Sequence, residues 1–191
     1  MIKKIPNFLI QANAPLSELC RTLEIVDFNG AVNYIFKLPY RRNSSKKDLT
    51  LVFSEKCGVC STKHAALAAL ALENGFQALR LIVGIYQMNE KNTPGVGEVL
   101  AKSNLAFIPE AHTYLVFGNE KIDITREVET EESPFVSLLL EKEIQPNQIG
   151  EFKVSLHRDF LGKWILENEM EYSLEEIWKI REDCIYALSQ V

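Results

Sequence analysis

Four cysteines and three histidines carry most of the reactive side chains of this 191-residue chain. Two of the cysteines stand close together in Cys57-Gly58-Val59-Cys60, and a run over 61–74 that is apolar on nearly every side follows them directly. A helix of that composition has to be buried. Its N-terminus would carry the cysteines to the edge of a core, where the helix dipole favours a thiolate. Three chemistries use such a thiol: disulfide exchange, metal binding and nucleophilic catalysis.

Disulfide exchange needs both sulfurs. A C-x-x-C at a strand-to-helix junction is the local pattern of thioredoxin-like thiol-disulfide oxidoreductases, and the later strand-like runs of the chain loosely follow that fold. Against it, those proteins place a cis-proline directly ahead of the strand facing the cysteines, whereas Pro109 lies four residues before Thr113. An aromatic residue usually precedes the first cysteine there, and here it is Lys56. A zinc-binding module would draw on Cys57, Cys60, His64 and His112, ligands of suitable type, although a single C-x-x-C lacks a second knuckle.

Nucleophilic catalysis uses Cys60 alone, with a histidine as base and a third polar group to orient that histidine. His64 comes one turn into the helix and points along its side. His157, beside Arg158 and Asp159, has nothing that brings it to the thiol. His112 heads a strand-like run over 113–117, and 121–124 reads as its partner across a Gly118-Asn119 turn. In that hairpin paired residue numbers sum to 237, so Asp123 stands opposite Tyr114, on the face it shares with His112. The diagonal is within reach of a carboxylate–imidazole hydrogen bond.

These residues need elements to hold them. Leu16, Leu19, Leu23 and Val26 recur at helical spacing after Pro15; Asn29-Gly30 breaks that helix, and a second one spans 31–38 up to Pro39. A polar loop over 39–48 contains Arg41, Arg42, Lys46 and Lys47, a solvated basic cluster. The spacing predicts a strand over 49–53, the buried helix over 61–74 with Gly75 as its stop, and a central strand over 78–86. A long connection over 89–110 borders the site. An acidic stretch over 127–148 holds one apolar segment, 135–140; alternation over 151–156 predicts a strand, and Ser173 with Glu176 caps a helix over 173–190. Cys20 and Cys184 fall on helices as packed small hydrophobes. The expected architecture is one α+β domain over 1–191, with the cysteine-bearing helix buried against an antiparallel sheet.

Gly58-Val59-Cys60 before an Ala/Leu helix, then Ala78-Leu79-Arg80-Leu81-Ile82-Val83-Gly84, then His112-Thr113-Tyr114 and Ile122-Asp123-Ile124-Thr125 follow one another in order. Over 49–126 this order resembles the transglutaminase-like superfamily. The resemblance implies a papain-like α+β fold in which Cys60 is the nucleophile, His112 the base and later acid, and Asp123 the residue that orients the imidazolium. It also implies a hydrolase or acyltransferase acting on an amide or peptide bond through a thioester, with no cofactor and no metal. Thr62-Lys63 stands where an acidic residue is usual, and the His–Asp hairpin is shorter than in many members. Cys57 and His64 are not required by the pattern.

A net charge of −5 with no dominant Lys/Arg face gives no reason to expect nucleic acid. The start MIKKIPNFLI is too short and too interrupted by Pro6 for a signal peptide, and no window is apolar enough for a membrane span. Sparse cysteines fit a cytoplasmic protein, and the resemblance implies a peptide or amide substrate as its partner.

Overall fold

The computed structural model describes residues 5–126 and 130–189. Met1 to Lys4, the 127–129 part of the acidic stretch, and Gln190, the expected last residue of the C-terminal helix, lie outside the described residues. The protein is α+β, with a four-stranded antiparallel sheet in the order β3-β2-β1-β4: β1 (Leu79–Met88), β2 (Ile108–Phe117), β3 (Glu120–Ile122) and β4 (Leu138–Ile144). Two compact units divide the chain, and β1, β2 and β4 each contribute to both.

The first unit draws on Met1–Val83, Thr113–Glu127 and Lys142–Gly150. At its centre is α4 (Cys60–Glu73), in which eleven of fourteen residues are buried, so no face is left to solvent over most of its length. Around it pack α1 (Pro15–Thr22), α2 (Phe28–Phe36), the single-turn α3 (Leu51–Ser54) and the 3-10 turn Pro146–Gln148. Pro15 starts α1, but the preceding Ala14 has no side chain with which to cap it. Glu73, at the far end of α4, does so instead: its carboxylate accepts from the N–H of Leu16 (3.0 Å) and Ser17 (2.8 Å) and from the Ser17 hydroxyl (2.6 Å). Gly75 follows at φ +75°, a left-handed residue that ends α4 as the sequence predicts.

Two sequence expectations in this unit are corrected. Asn29 and Gly30 do not break a helix; they lie in the first turn of α2, because the Asp27 carboxylate caps it by accepting the Gly30 N–H at 2.8 Å. The 49–53 run is not a strand. Asp48 accepts the Thr50 N–H and hydroxyl (2.9 and 2.5 Å), which turns the chain into α3 and buries Val52 and Phe53, the latter stacked on Tyr34.

The second unit draws on Gly84–His112, Val128–Glu141 and Glu151–Val191. Its core includes Tyr86, Met88, Leu100, Ile108, Leu161 and Ile177. The long 89–110 connection contains α5 (Gly97–Lys102), whose entry is fixed by Glu90 accepting the Gly95 and Gly97 N–H groups. The expected strand over 151–156 is instead the start of α6 (Glu151–Glu167). Its buried positions are Lys153, His157, Leu161 and Ile165, a strict four-residue repeat whose first two members are polar, so the apolar period is hidden. Helix α7 (Leu174–Leu188) begins with the predicted reciprocal Ser173–Glu176 cap. The apolar segment over 135–140 becomes a 3-10 turn, Pro134–Ser137, and the start of edge strand β4. Among the described residues no helix is long and apolar enough to cross a membrane.

Buried charge also holds this unit together. Arg181 reaches from α7 to Glu110 on β2 in a two-pronged contact of 2.7 and 2.6 Å, and its guanidinium lies 5.3 Å from the Trp178 ring centre. Burial by itself would push the Glu110 carboxyl up, but the charge and hydrogen bonds of Arg181 outweigh it and hold the group at about 2. A carboxyl depressed below its ordinary 4.5 contributes stability that is complete above that value and lost as pH falls toward 2. Urea unfolding across that window should therefore show a falling free energy for the native chain. Glu110→Gln should flatten the profile while lowering stability near pH 7 by about 3 kcal/mol.

Candidate active site

Cys60 is the first residue of α4 and is 8% exposed. The chain reaches it from α3 through Lys56, a non-glycine residue at φ 49° that reverses the backbone, and then through the extended Val59. Gly58 is required by close packing: a Cβ there would lie 2.9 Å from Lys63 Cγ and 3.0 Å from Thr62 Oγ1. Those two side chains fold back over the turn because Thr62 Oγ1 accepts the Val59 N–H at 3.1 Å. Val59 offers no side-chain acceptor in return, so only half of a capping box is present.

The four cysteines differ in environment, and all are free thiols. Burial, reinforced by Glu73 for Cys20 and by Glu110 for Cys184, pushes those two thiols up to about 12. They are packing residues, as the sequence suggests. Cys57 is 1% exposed and lies 3.7 Å from Asn43 Nδ2. Asn43 is a structural hub, donating from Nδ2 to the carbonyls of Cys57 (3.0 Å) and Leu51 (3.3 Å) and to Glu55 (3.0 Å). Cys60 Sγ lies 3.8 Å from the Ser61 hydroxyl, which is 3.3 Å from the Thr113 hydroxyl.

The hairpin has the register read from the sequence. Leu115 pairs with Ile122, Val116 with Lys121 and Phe117 with Glu120. β3 ends at Ile122, so Asp123 follows the last paired residue, and its chain turns toward α4. The Ile124 N–H donates to His64 Nε2 at 2.8 Å, and His64 Nδ1 donates to the Cys60 carbonyl at 2.8 Å. A backbone N–H can only donate and a carbonyl can only accept, so these two bonds fix the neutral Nδ1–H tautomer of a fully buried ring. Asp123 Oδ1 lies 3.5 Å from His64 Nε2 and accepts the Thr125 N–H (2.9 Å) and hydroxyl (2.5 Å). The Asp123 side chain keeps 27% exposure.

Of the predicted site residues, Cys60 and Asp123 belong to the first unit and meet through His64 on the first turn of α4. His112 is the last β2 residue of the second unit, half-buried, with its ring centre 6.1 Å from that of Tyr86 and the two rings roughly perpendicular. The next residue is Thr113, the hydroxyl partner of Ser61. His157 is engaged elsewhere, its Nε2 donating to the Pro109 carbonyl at 2.8 Å.

Lys63 and His64 adjoin the candidate site, although the sequence pattern gives them no part in the catalytic set. The Lys63 side chain is fully buried, and its ammonium donates to the carbonyls of Phe36 (3.4 Å), Leu38 (2.5 Å) and Thr125 (2.8 Å). Burial lowers its pKa to about 8, with Asp123 and Cys57 acting in the opposite direction. The available signal was a lysine and a histidine in the first turn of a helix otherwise too apolar to have a wet face. Among the described residues no three His, Cys, Asp or Glu side chains gather as a metal site requires.

This is an α+β protein with a cysteine at the head of a buried helix and an aspartate docked on that helix's first turn. No family model, curated protein or solved structure matches the chain.

Two substitutions test how this turn is built. Gly58→Ala must displace Lys63 and Thr62, and should cost about 2 kcal/mol in chemical unfolding. Lys63→Met leaves three carbonyls without their donor and should cost about 3 kcal/mol. Equal stability of both variants and the native chain would refute the packing described.

Proposed function

We propose that this protein is a transglutaminase-like cysteine hydrolase or acyltransferase with Cys60 as nucleophile, His112 as base and Asp123 as the group that orients His112. The observation that carries the reading is the docking of the Asp123 segment onto the helical turn that begins with Cys60, through the Ile124 N–H to His64 bond. The hairpin register supports it to the extent that Leu115 pairs with Ile122 as read from the sequence, so that Asp123 directly follows the last paired residue. The state of His64 supports it too. With Nε2 accepting a backbone N–H, His64 cannot take the Cys60 proton, so a base must come from elsewhere.

In the proposed mechanism His112 removes the Cys60 thiol proton, and the thiolate attacks the carbonyl carbon of an amide. The positive end of α4 stabilises the thiolate and the oxyanion that forms. His112, now protonated and held by Asp123, gives its proton to the leaving amine, and a thioester remains on Cys60. Water, deprotonated by His112, then releases a carboxylic acid; an amine in its place yields a new amide.

Peptide mapping after limited iodoacetamide treatment at neutral pH tests this reading. Cys60 should be carboxamidomethylated first, well ahead of Cys20 and Cys184. His112→Ala should slow the Cys60 reaction by about a hundredfold, and Asp123→Ala by about tenfold. A Cys60 rate equal to that of an ordinary thiol and indifferent to His112→Ala would sink the proposal.

A further inference from the structure

Charge in this chain is segregated around the turn that carries Cys60. Between residues 37 and 63 there are seven lysines and arginines against two acidic residues, whereas the rest of the chain holds fourteen basic and twenty-four acidic ones. The two acids in the stretch are engaged locally: Glu55 accepts from Asn43 and Ser44, and Asp48 from Thr50. Arg41, Arg42, Lys46, Lys47 and Lys56 are exposed.

The structure also ties this basic loop to the site. Tyr40 and Gly58 form a parallel bridge, with the Gly58 N–H donating to the Pro39 carbonyl (3.2 Å) and the Arg41 N–H to the Gly58 carbonyl (3.4 Å). Asn43 then holds the Cys57 carbonyl at 3.0 Å. Arg41 is near enough to Cys57 for the sulfur to hydrogen-bond its guanidinium. From the other side Arg126, three residues after Asp123, lies with its guanidinium 5.9 Å from the Tyr40 ring centre. Arg41, Arg42 and Arg126 therefore border a residue bridged to Gly58, two positions before the thiol.

We propose that this guanidinium rim binds carboxylates of an acidic peptide, and that the acyl substrate of Cys60 is carried on such a peptide. The second half rests on the reading of Cys60 as nucleophile. A guanidinium presents a planar fork that matches a carboxylate with two parallel hydrogen bonds. A small positive field inside an otherwise acidic chain steers a short anionic segment to that one place. Nucleic acid fits the rim less well, because the 39–48 loop has a single aromatic, Tyr40, for base stacking.

The test uses the full chain with Cys60→Ala and a fluorescein-labelled glutamate-rich peptide, read by fluorescence anisotropy. Binding should weaken about tenfold between about 50 and 200 mM NaCl, and at least about tenfold in Arg41→Ala/Arg42→Ala. Circular dichroism of that exposed double variant should match the parent. Binding no tighter than that of a lysine-rich peptide of equal length, or unchanged in the double variant, overturns the proposal. So does preference for single-stranded DNA or for phosphatidylserine vesicles over the peptide. Because the thiol is absent from the tested protein, peptide binding and nucleophilic function of Cys60 fail separately.

Discussion

Four consecutive polar side chains, Ser61 to His64, are buried in the first turn of α4, and each is anchored to a different piece of chain. Ser61 reaches Thr113 on β2, Thr62 the Val59 N–H, Lys63 the carbonyls of Phe36, Leu38 and Thr125, and His64 the Ile124 N–H. Left unpaired in a core, each group would cost about 1–3 kcal/mol. The end of α2, the start of α4 and the exit from β3 therefore have to come together for any of them to be satisfied. The turn acts as the junction of the first unit because its polarity leaves it few other solutions.

The same turn explains the division of labour among the cysteines. Cys20 and Cys184 are surrounded by apolar atoms with an acid nearby, and their thiols rise to about 12. The Cys60 sulfur adjoins the Ser61 hydroxyl at the N-terminus of a helix. Cys57, which the C-x-x-C spacing makes conspicuous, sits among the Asn43 amide and the Arg41 guanidinium and belongs with the basic loop.

Legibility in the sequence followed how local the governing forces are. The buried helix, its Gly75 stop, the Gly118-Asn119 hairpin register and the Ser173 cap were all readable, because each depends on composition or spacing within a few residues. The 49–53 and 151–156 segments were misread for opposite reasons. In the first, a side chain of Asp48 overrode strand-forming residues; in the second, Lys153 and His157 occupied inner positions that pattern reading reserves for apolar groups. At the site, Cys60 and Asp123 carried local signals; His64 and Lys63 stood out only as polar residues in an apolar helix, and their partners were hidden because Ile124 and Thr125 return from sixty residues away.

A buried ammonium is costly to desolvate, and Lys63 offsets that cost through its three carbonyl partners. What Lys63 and His64 supply beyond stability is position. β3 ends at Ile122, so no ladder fixes Asp123; its place depends on the Ile124 N–H held by His64 and the Thr125 carbonyl held by Lys63. Both of these helix residues lie within four positions of Cys60. On the proposed mechanism, the nucleophile and the orienting carboxylate are thus set by one rigid helical turn, and a shift of either moves the other with it. Preorganisation of this kind is what a reaction that develops charge at fixed points requires, and it gives the lysine and histidine of this turn a role beyond holding the fold together.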